Sequence, residues 1–274
     1  MLRYLLPARR WAGALALGSV LAMGGCATIS TQQEAQLGAQ AAADVNRQLP
    51  IVQDAQINNY INQLGNTIAS RADPSGRSYR FYVVNAKEVN AFALPGGYVY
   101  VNRGLIDRTD NMSELAGVLG HEIGHVVERH GVTQVERAQN ANLGLAVVYG
   151  VLLGRNPSTL EQVGIQGVGS AIFAGYSRDA EREADQDAVK FVVNAGINPQ
   201  GIPSFFQKLL SEQQRQPSAV ERWFSTHPLT QERLQTAQTL VAQVPASQRQ
   251  NLTTDTQAYR DFRARVRSLP APTQ

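Results

Sequence analysis

The 274-residue chain has one cysteine, Cys26, so no internal disulfide can staple the fold. Long hydrophobic runs are also missing. Beyond the first twenty-five positions no stretch of eighteen uncharged apolar residues occurs, which excludes a polytopic membrane protein. Nor is there a real excess of basic charge. Of 25 basic and 22 acidic residues, Arg3, Arg9 and Arg10 precede the first acid, Glu34, and without those three the balance is 22 to 22. A neutral body gives no reason to expect a nucleic-acid partner, because that binding needs a basic surface to displace counterions. Internal repeats are absent as well. What is present is a hydrophobic content of 43%, enough to bury the core of a single domain.

The N-terminal residues read as an address. Arg3, Arg9 and Arg10 form a charged segment, and Trp11 to Met23 is an apolar run too short to span a bilayer core of about 30 Å. Met23-Gly24-Gly25-Cys26 then resembles the lipobox of bacterial lipoproteins. Residues 1–25 are therefore expected to be a signal peptide and Cys26 a lipidated first residue, anchoring the body to a membrane by acyl chains. Ala27, in place of Asp, suggests the outer membrane, and a periplasmic location follows.

The remaining residues, 26–274, read as one α+β, mostly helical domain. Leu37, Val45, Ile57, Ile61, Leu64 and Ile68 fall at helical spacings broken by Leu49-Pro50, which predicts two helices between 31 and 71. Alternation at Tyr79, Phe81 and Val83, then Asn90 to Leu94, a Pro95-Gly96-Gly97 turn and Tyr98 to Val101 predict a small antiparallel sheet. Helical spacing returns from about Ser113. Leu143 to Leu153 reads as a buried core helix, and a short final helix is expected near Tyr259 to Val266.

The chemistry is concentrated in His121-Glu122-Ile123-Gly124-His125. With four His and twelve Glu, chance would produce His-Glu-x-x-His in only about one such chain in four hundred. Leu115, Leu119, Ile123 and Val126 share a stripe, so the segment is an amphipathic helix. Four residues advance a helix by about 400°, which aims both imidazoles at a common point where a zinc ion fits. Glu122 lies beside that point, where a carboxylate can take a proton from water. His130, about 140° from His125 on the same helix, reads as a surface or helix-end histidine.

A catalytic zinc normally has three protein ligands and one open position. Ser177 to Asp185 offers the third. Glu181, Ala184, Asp185 and Ala188 share a helix face, whereas Glu183 lies about 200° from Glu181, on what reads as a solvated side with Arg182 and Asp187. Glu181 is the expected ligand. Asp185 is placed to accept the other ring N–H of a ligating histidine.

These motifs, with Asn90-Ala91-Phe92-Ala93-Leu94-Pro95-Gly96-Gly97, Thr226-His227-Pro228 and Arg233, resemble the HtpX-like and CAAX-prenyl-protease family, metallopeptidase family forty-eight. The likeness covers about residues 80 to 233, and the lipobox makes the chain similar to periplasmic lipoprotein members. Membrane helices of other branches are missing, so their lipid-embedded substrates are not carried over. The resemblance implies a zincin of the gluzincin type, a zinc endopeptidase with one Zn2+ per chain on His121, His125 and Glu181 and with Glu122 as base and then proton donor. It implies that Asn90, Ala91 and Phe92 belong to an edge strand on which extended peptide pairs, and that His227 lies over the cleft. There His227 is either a donor to the developing oxyanion or a fourth zinc ligand. Unfolded or extended proteins are the expected substrates, in envelope quality control. The alternatives are a chaperone or assembly factor with a weak or latent site, and a structural zinc site closed by His227.

Overall fold

The structure is a computed structural model that describes residues 28–140 and 175–272. The expected signal peptide, Cys26 and the Leu143 to Leu153 run lie outside the described residues.

Helix α1 (Thr31–Gln48) starts at Ser30, whose hydroxyl accepts the Gln33 N–H while the Gln33 side chain accepts the Ser30 N–H. It presents Glu34, Gly38 and Ala42, four residues apart, to the body. The chain breaks at Leu49-Pro50 and re-enters helix as α2 (Ala55–Ala72), capped by Asp54 and burying Ile57, Ile61, Leu64 and Ile68 on one stripe. Burying each isoleucine contributes about 1.5–3 kcal/mol.

Three strands follow: β1 (Arg80–Val84), β2 (Ala91–Leu94) and β3 (Tyr98–Asn102), in spatial order β1-β3-β2. The predicted hairpin is there, with β2 and β3 antiparallel around Gly96 and Gly97, both at positive φ. The sheet as a whole is mixed, not antiparallel, because β1 pairs parallel to β3. The crossover Asn85 to Asn90 carries the chain past β3 to the far edge before the hairpin turns back, so β1 and β3 run the same way.

Beyond the sheet come α3 (Arg103–Ile106), α4 (Met112–Val127), α5 (His130–Asn140), α6 (Arg178–Asn194), α7 (Gly201–Arg215), α8 (Pro217–Thr226), α9 (Gln231–Gln243) and α10 (Gln257–Arg267). The central element is α4, buried from Met112 to Val126 between the sheet side and α6. Its first turn is held by Asn111, which accepts the Glu114 N–H, and from far along the chain by the Thr254 carbonyl and the Asp255 carboxylate, which accept the Ser113 and Met112 N–H groups.

Where α4 meets α6, side chains give way to backbone. A Cβ added at Gly124 would stand 3.1 Å from Ala184 Cα, and one at Gly120 would stand 3.4 Å from Ala188 Cα. At the other end of α4, Arg129 takes a left-handed conformation at φ 56° and turns the chain into α5. Its guanidinium donates to the Ile29 carbonyl and pairs with buried Glu34, so the start of α1 is docked on the α4–α5 corner.

Candidate metal centre

The α4–α6 seam decides the geometry of the site. One helical turn separates His121 from His125, and their Nε2 atoms stand 3.0 Å apart. Because α6 lies so close, Glu181 reaches both: Oε1 is 3.4 Å from His125 Nε2 and Oε2 is 3.6 Å from His121 Nε2. The fourth member arrives from the end of α8. His227 Nδ1 lies 3.3 Å from His121 Nε2 and 3.1 Å from Glu181 Oε1, with the Trp223 ring packed against its imidazole. Donor atoms of His121, His125, Glu181 and His227 fall within 4.8 Å of one another, and all four side chains are buried. Three imidazole nitrogens and a carboxylate oxygen turned on one point, away from water, suit a borderline metal cation, which takes N and O donors in this number.

Glu122 stands beside this group and not in it. It is 0% exposed, and its two carboxylate oxygens make no hydrogen bond among the described residues. His227 Nε2 is 3.4 Å from Oε1, and the Ala93 N–H faces the carboxyl from β2. Burial raises the Glu122 carboxyl above the usual carboxylate range, only partly offset by His227 and His121. Burial also pushes Glu181 upward, but His227 and the bond to His125 outweigh it and hold Glu181 well below that range. His125 is driven well below the usual imidazole range by burial, whereas His227, equally buried, is raised because Glu181 and Glu122 face it.

A second ring of groups holds the first. Asp185 Oδ1 stands 2.9 Å from His121 Nδ1, as the shared helix face predicts. Buried Arg233 donates two hydrogen bonds to Asp185, one to Glu181 and one to the Pro228 carbonyl, joining α9, α6 and the His227 segment. The Tyr176 ring stacks on His125 with centroids 3.8 Å apart. His130 is a helix-end residue, as expected, but not a surface one. It is 8% exposed, with Nδ1 2.9 Å from His125 Nδ1 and Nε2 3.0 Å from Glu183 Oε2. The left-handed Arg129 folds α5 back over His125, which cancels the 140° separation that a continuous helix would impose. The stacking of Tyr176 had no counterpart in the sequence motifs.

The strand residues divide by register. The Asn90 carbonyl accepts the Asn102 N–H, so in an antiparallel ladder Phe92 and Leu94 also bond towards β3, while the backbones of Ala91 and Ala93 turn the other way. The Asn90 side chain accepts from Thr226, next to His227. Phe92 stacks on Tyr100.

Residues 55–241 match the family model described as Peptidase family M48. The chain belongs to peptidase family M48. Within M48 it is similar to a beta-barrel assembly-enhancing protease of Yersinia pestis, 36% identical over 219 residues, which are 77% of this chain and 44% of that protein. It is also similar to metalloprotease LoiP of Escherichia coli (strain K12), 33% identical over 178 residues covering 64% of this chain and 65% of LoiP. Metalloprotease YcaL of the same strain is 33% identical over 175 residues, 63% of each chain. The chain thus spans less than half the length of the beta-barrel assembly-enhancing protease it matches. No helix among the described residues is long and apolar enough to cross a membrane.

Proposed function

We propose that this M48 chain is a zinc-dependent endopeptidase of the bacterial cell envelope that hydrolyses peptide bonds in extended, unfolded or damaged proteins. The observation that carries the reading is the placement of Glu122: fully buried, adjoining the four converging donors, and with no side-chain hydrogen bond to either oxygen. A structural site has no use for such a carboxylate. His121, His125 and Glu181 would hold the zinc, whose Lewis acidity polarises a carbonyl and makes water easier to deprotonate. Glu122 takes the proton from the attacking water at its carboxylate, a task favoured by its raised proton affinity, and returns it to the leaving amine. Asp185 Oδ1, 2.9 Å from His121 Nδ1, faces the ring nitrogen turned away from the other donors and favours a proton there over one on Nε2, and Arg233 holds both carboxylates of α6 in place.

Substrate lies alongside β2, where the Ala91 and Ala93 backbones turn away from β3 and can pair an extended peptide; Asn90 and Phe92 support that edge from within the sheet. Pairing of this kind demands an unfolded segment. Lipid at Cys26 would keep the body on the periplasmic side of the outer membrane, a reading in keeping with the name of the beta-barrel assembly-enhancing relatives. His227 supports a second, latent state: with Nδ1 among the other donors it can fill the position that water needs, and with the loop displaced it can donate to a developing oxyanion. In the latent state the protein would act as a binding or assembly factor.

The test is incubation of the zinc-loaded protein and its Glu122→Gln form with a reduced, carboxymethylated protein. Fragments from the first and none from the second are expected; equal fragments, or none from either under any loading, overturn the proposal. Mass spectrometry of the mature N-terminus checks Cys26, and an unmodified terminus elsewhere removes the anchor.

A further inference from the structure

His130 and Glu183 have no part in the reaction described above, yet they touch its machinery. We infer that His130, oriented by Glu183, is a positioning residue that fixes the tautomer of His125 and so the strength with which the centre holds its metal. This inference rests on the reading of His121, His125 and Glu181 as the metal-holding set.

The proton count requires it. His125 turns Nε2 inward, 3.0 Å from His121 Nε2 and 3.4 Å from Glu181 Oε1. To offer a lone pair there, its single ring proton must sit on Nδ1. That atom is 2.9 Å from His130 Nδ1, and two N–H groups cannot face each other at this distance, so His130 Nδ1 is the bare acceptor. The His130 proton is then on Nε2, 3.0 Å from the Glu183 carboxylate, which can only accept. Each link has one proton and one acceptor, and any other tautomer of His130 breaks both. The chain of bonds therefore runs His125 Nδ1–H to His130 Nδ1, then His130 Nε2–H to Glu183 Oε2.

Both ends of the His125 imidazole are consequently held by one helix. Glu181 of α6 meets its inner nitrogen, and Glu183 of α6 holds its outer nitrogen through His130. The two carboxylates point to opposite sides of α6, yet the α5 fold-back lets them act on the same ring. His121 has the parallel arrangement, with Asp185 outside and Arg233 behind it. Burial separates the two devices: the Glu183 side chain is 58% exposed, whereas that of Asp185 is 2% exposed. Removing Glu183 thus perturbs the relay without leaving a buried hole or an orphaned buried charge.

Zinc affinity is measured by competition with a chromophoric chelator for the full chain, His130→Ala, Glu183→Ala and the double variant, with His130→Gln as the conservative replacement whose amide can accept from His125 and donate to Glu183. His130→Ala is expected to weaken zinc holding about ten- to a hundredfold, as outer partners of metal-bound histidines do. Glu183→Ala should weaken it by about threefold to tenfold alone and by almost nothing in the His130→Ala background, because the relay is already cut. His130→Gln should recover part of the loss. A merely structural role would leave Glu183→Ala at wild-type affinity, and an effect of Glu183→Ala that persists undiminished beside His130→Ala would also overturn the inference. If His130→Ala does not fold, Glu183→Ala and the nitrogen-15 shifts of His125 in the metal-free chain decide, since loss of a protonated, hydrogen-bonded Nδ1 there contradicts the relay. A wild-type chain that holds no zinc sinks the underlying reading instead.

Discussion

Replacing Arg233 with methionine keeps the apolar length of the side chain and removes its charge. In the structure the guanidinium makes two bonds to Asp185 and one to Glu181, whose side chains are 2% and 1% exposed. Burial opposes its charge, but Asp185 and Glu181 more than compensate and raise its proton affinity further. Without it two carboxylates, about one turn apart on α6, are buried and face each other's field with less to neutralise them. Breaking a buried pair from one side costs about 3–5 kcal/mol, because the remaining charge keeps its desolvation penalty. Against a domain stability of about 5–15 kcal/mol this is a fifth or more of the total. The assay is urea unfolding of the metal-free full chain. With an m-value of about 3 kcal/mol/M, Arg233→Met should lower the midpoint by about 1–1.7 M. The origin of the loss is checked by adding Asp185→Asn, which removes one orphaned charge: the double variant should be less destabilised than the sum of the two single changes. A midpoint lowered by less than about 0.3 M, or strict additivity in the cycle, would refute the reasoning.

Gly124→Ala should destabilise by about 1–3 kcal/mol and weaken metal holding, because its methyl group would press on Ala184 backbone 3.1 Å away; a neutral melting temperature contradicts the close seam. Asp187 is raised to about 6 from 3.8 by burial and by Glu128, so the folded chain keeps that proton to a higher pH than the unfolded one. The resulting penalty is absent below pH 4, grows as pH rises towards 6 and is full above it. Asp187→Asn should therefore stabilise by about 1 kcal/mol at pH 7.5 once its half-exposure is allowed for, and by nothing at pH 4, as read from unfolding curves at the two pH values. Glu122→Gln should keep its zinc while turnover falls by about a hundredfold or more, whereas His121→Ala loses the metal; equal metal contents in the two variants refute the division of roles. For His227→Ala, a hundredfold fall in turnover at constant zinc supports an oxyanion donor, a rise or faster exchange supports the latent ligand, and no change in either returns the residue to a packing role.

Much of this site was legible because its members obey local rules. His121 and His125 are one turn apart on one helix, and periodicity alone makes them converge. Glu181 could be told from Glu183 because it shares its face with Ala184 and Ala188, small residues suited to a close helix contact. Where reasoning from spacing stopped short, the chain left the regular element on which the spacing was counted. His130 was placed by extending α4 through Arg129, a residue type that does not announce a left-handed turn. The parallel pairing of β1 with β3 was equally out of reach, since alternation shows that a strand has two faces and says nothing of its neighbour. Arg233 was noticed as part of a motif, but its grip on Asp185 and Glu181 depends on how α9 returns over α6, a long-range matter. No motif singles out Glu34, and only the meeting of α1 with Arg129 and Arg77 explains its burial.

The backbone contact between α4 and α6 also bears on how the chain can change. In most cores the distance between two helices is a compromise among side chains, so a swap of one hydrophobic residue for another moves the axes and everything mounted on them. Here Gly124 rests on the main chain of Ala184, and Gly120 on that of Ala188 beside the Val192 side chain, and main chain cannot be trimmed or swollen by substitution. The seam acts as a mechanical stop. Residues elsewhere in the core, such as Leu119 or Phe205, can drift in size while the spacing between His121, His125 and Glu181 stays where the stop sets it. The tolerance of the surrounding core is the reciprocal of the intolerance of two glycines.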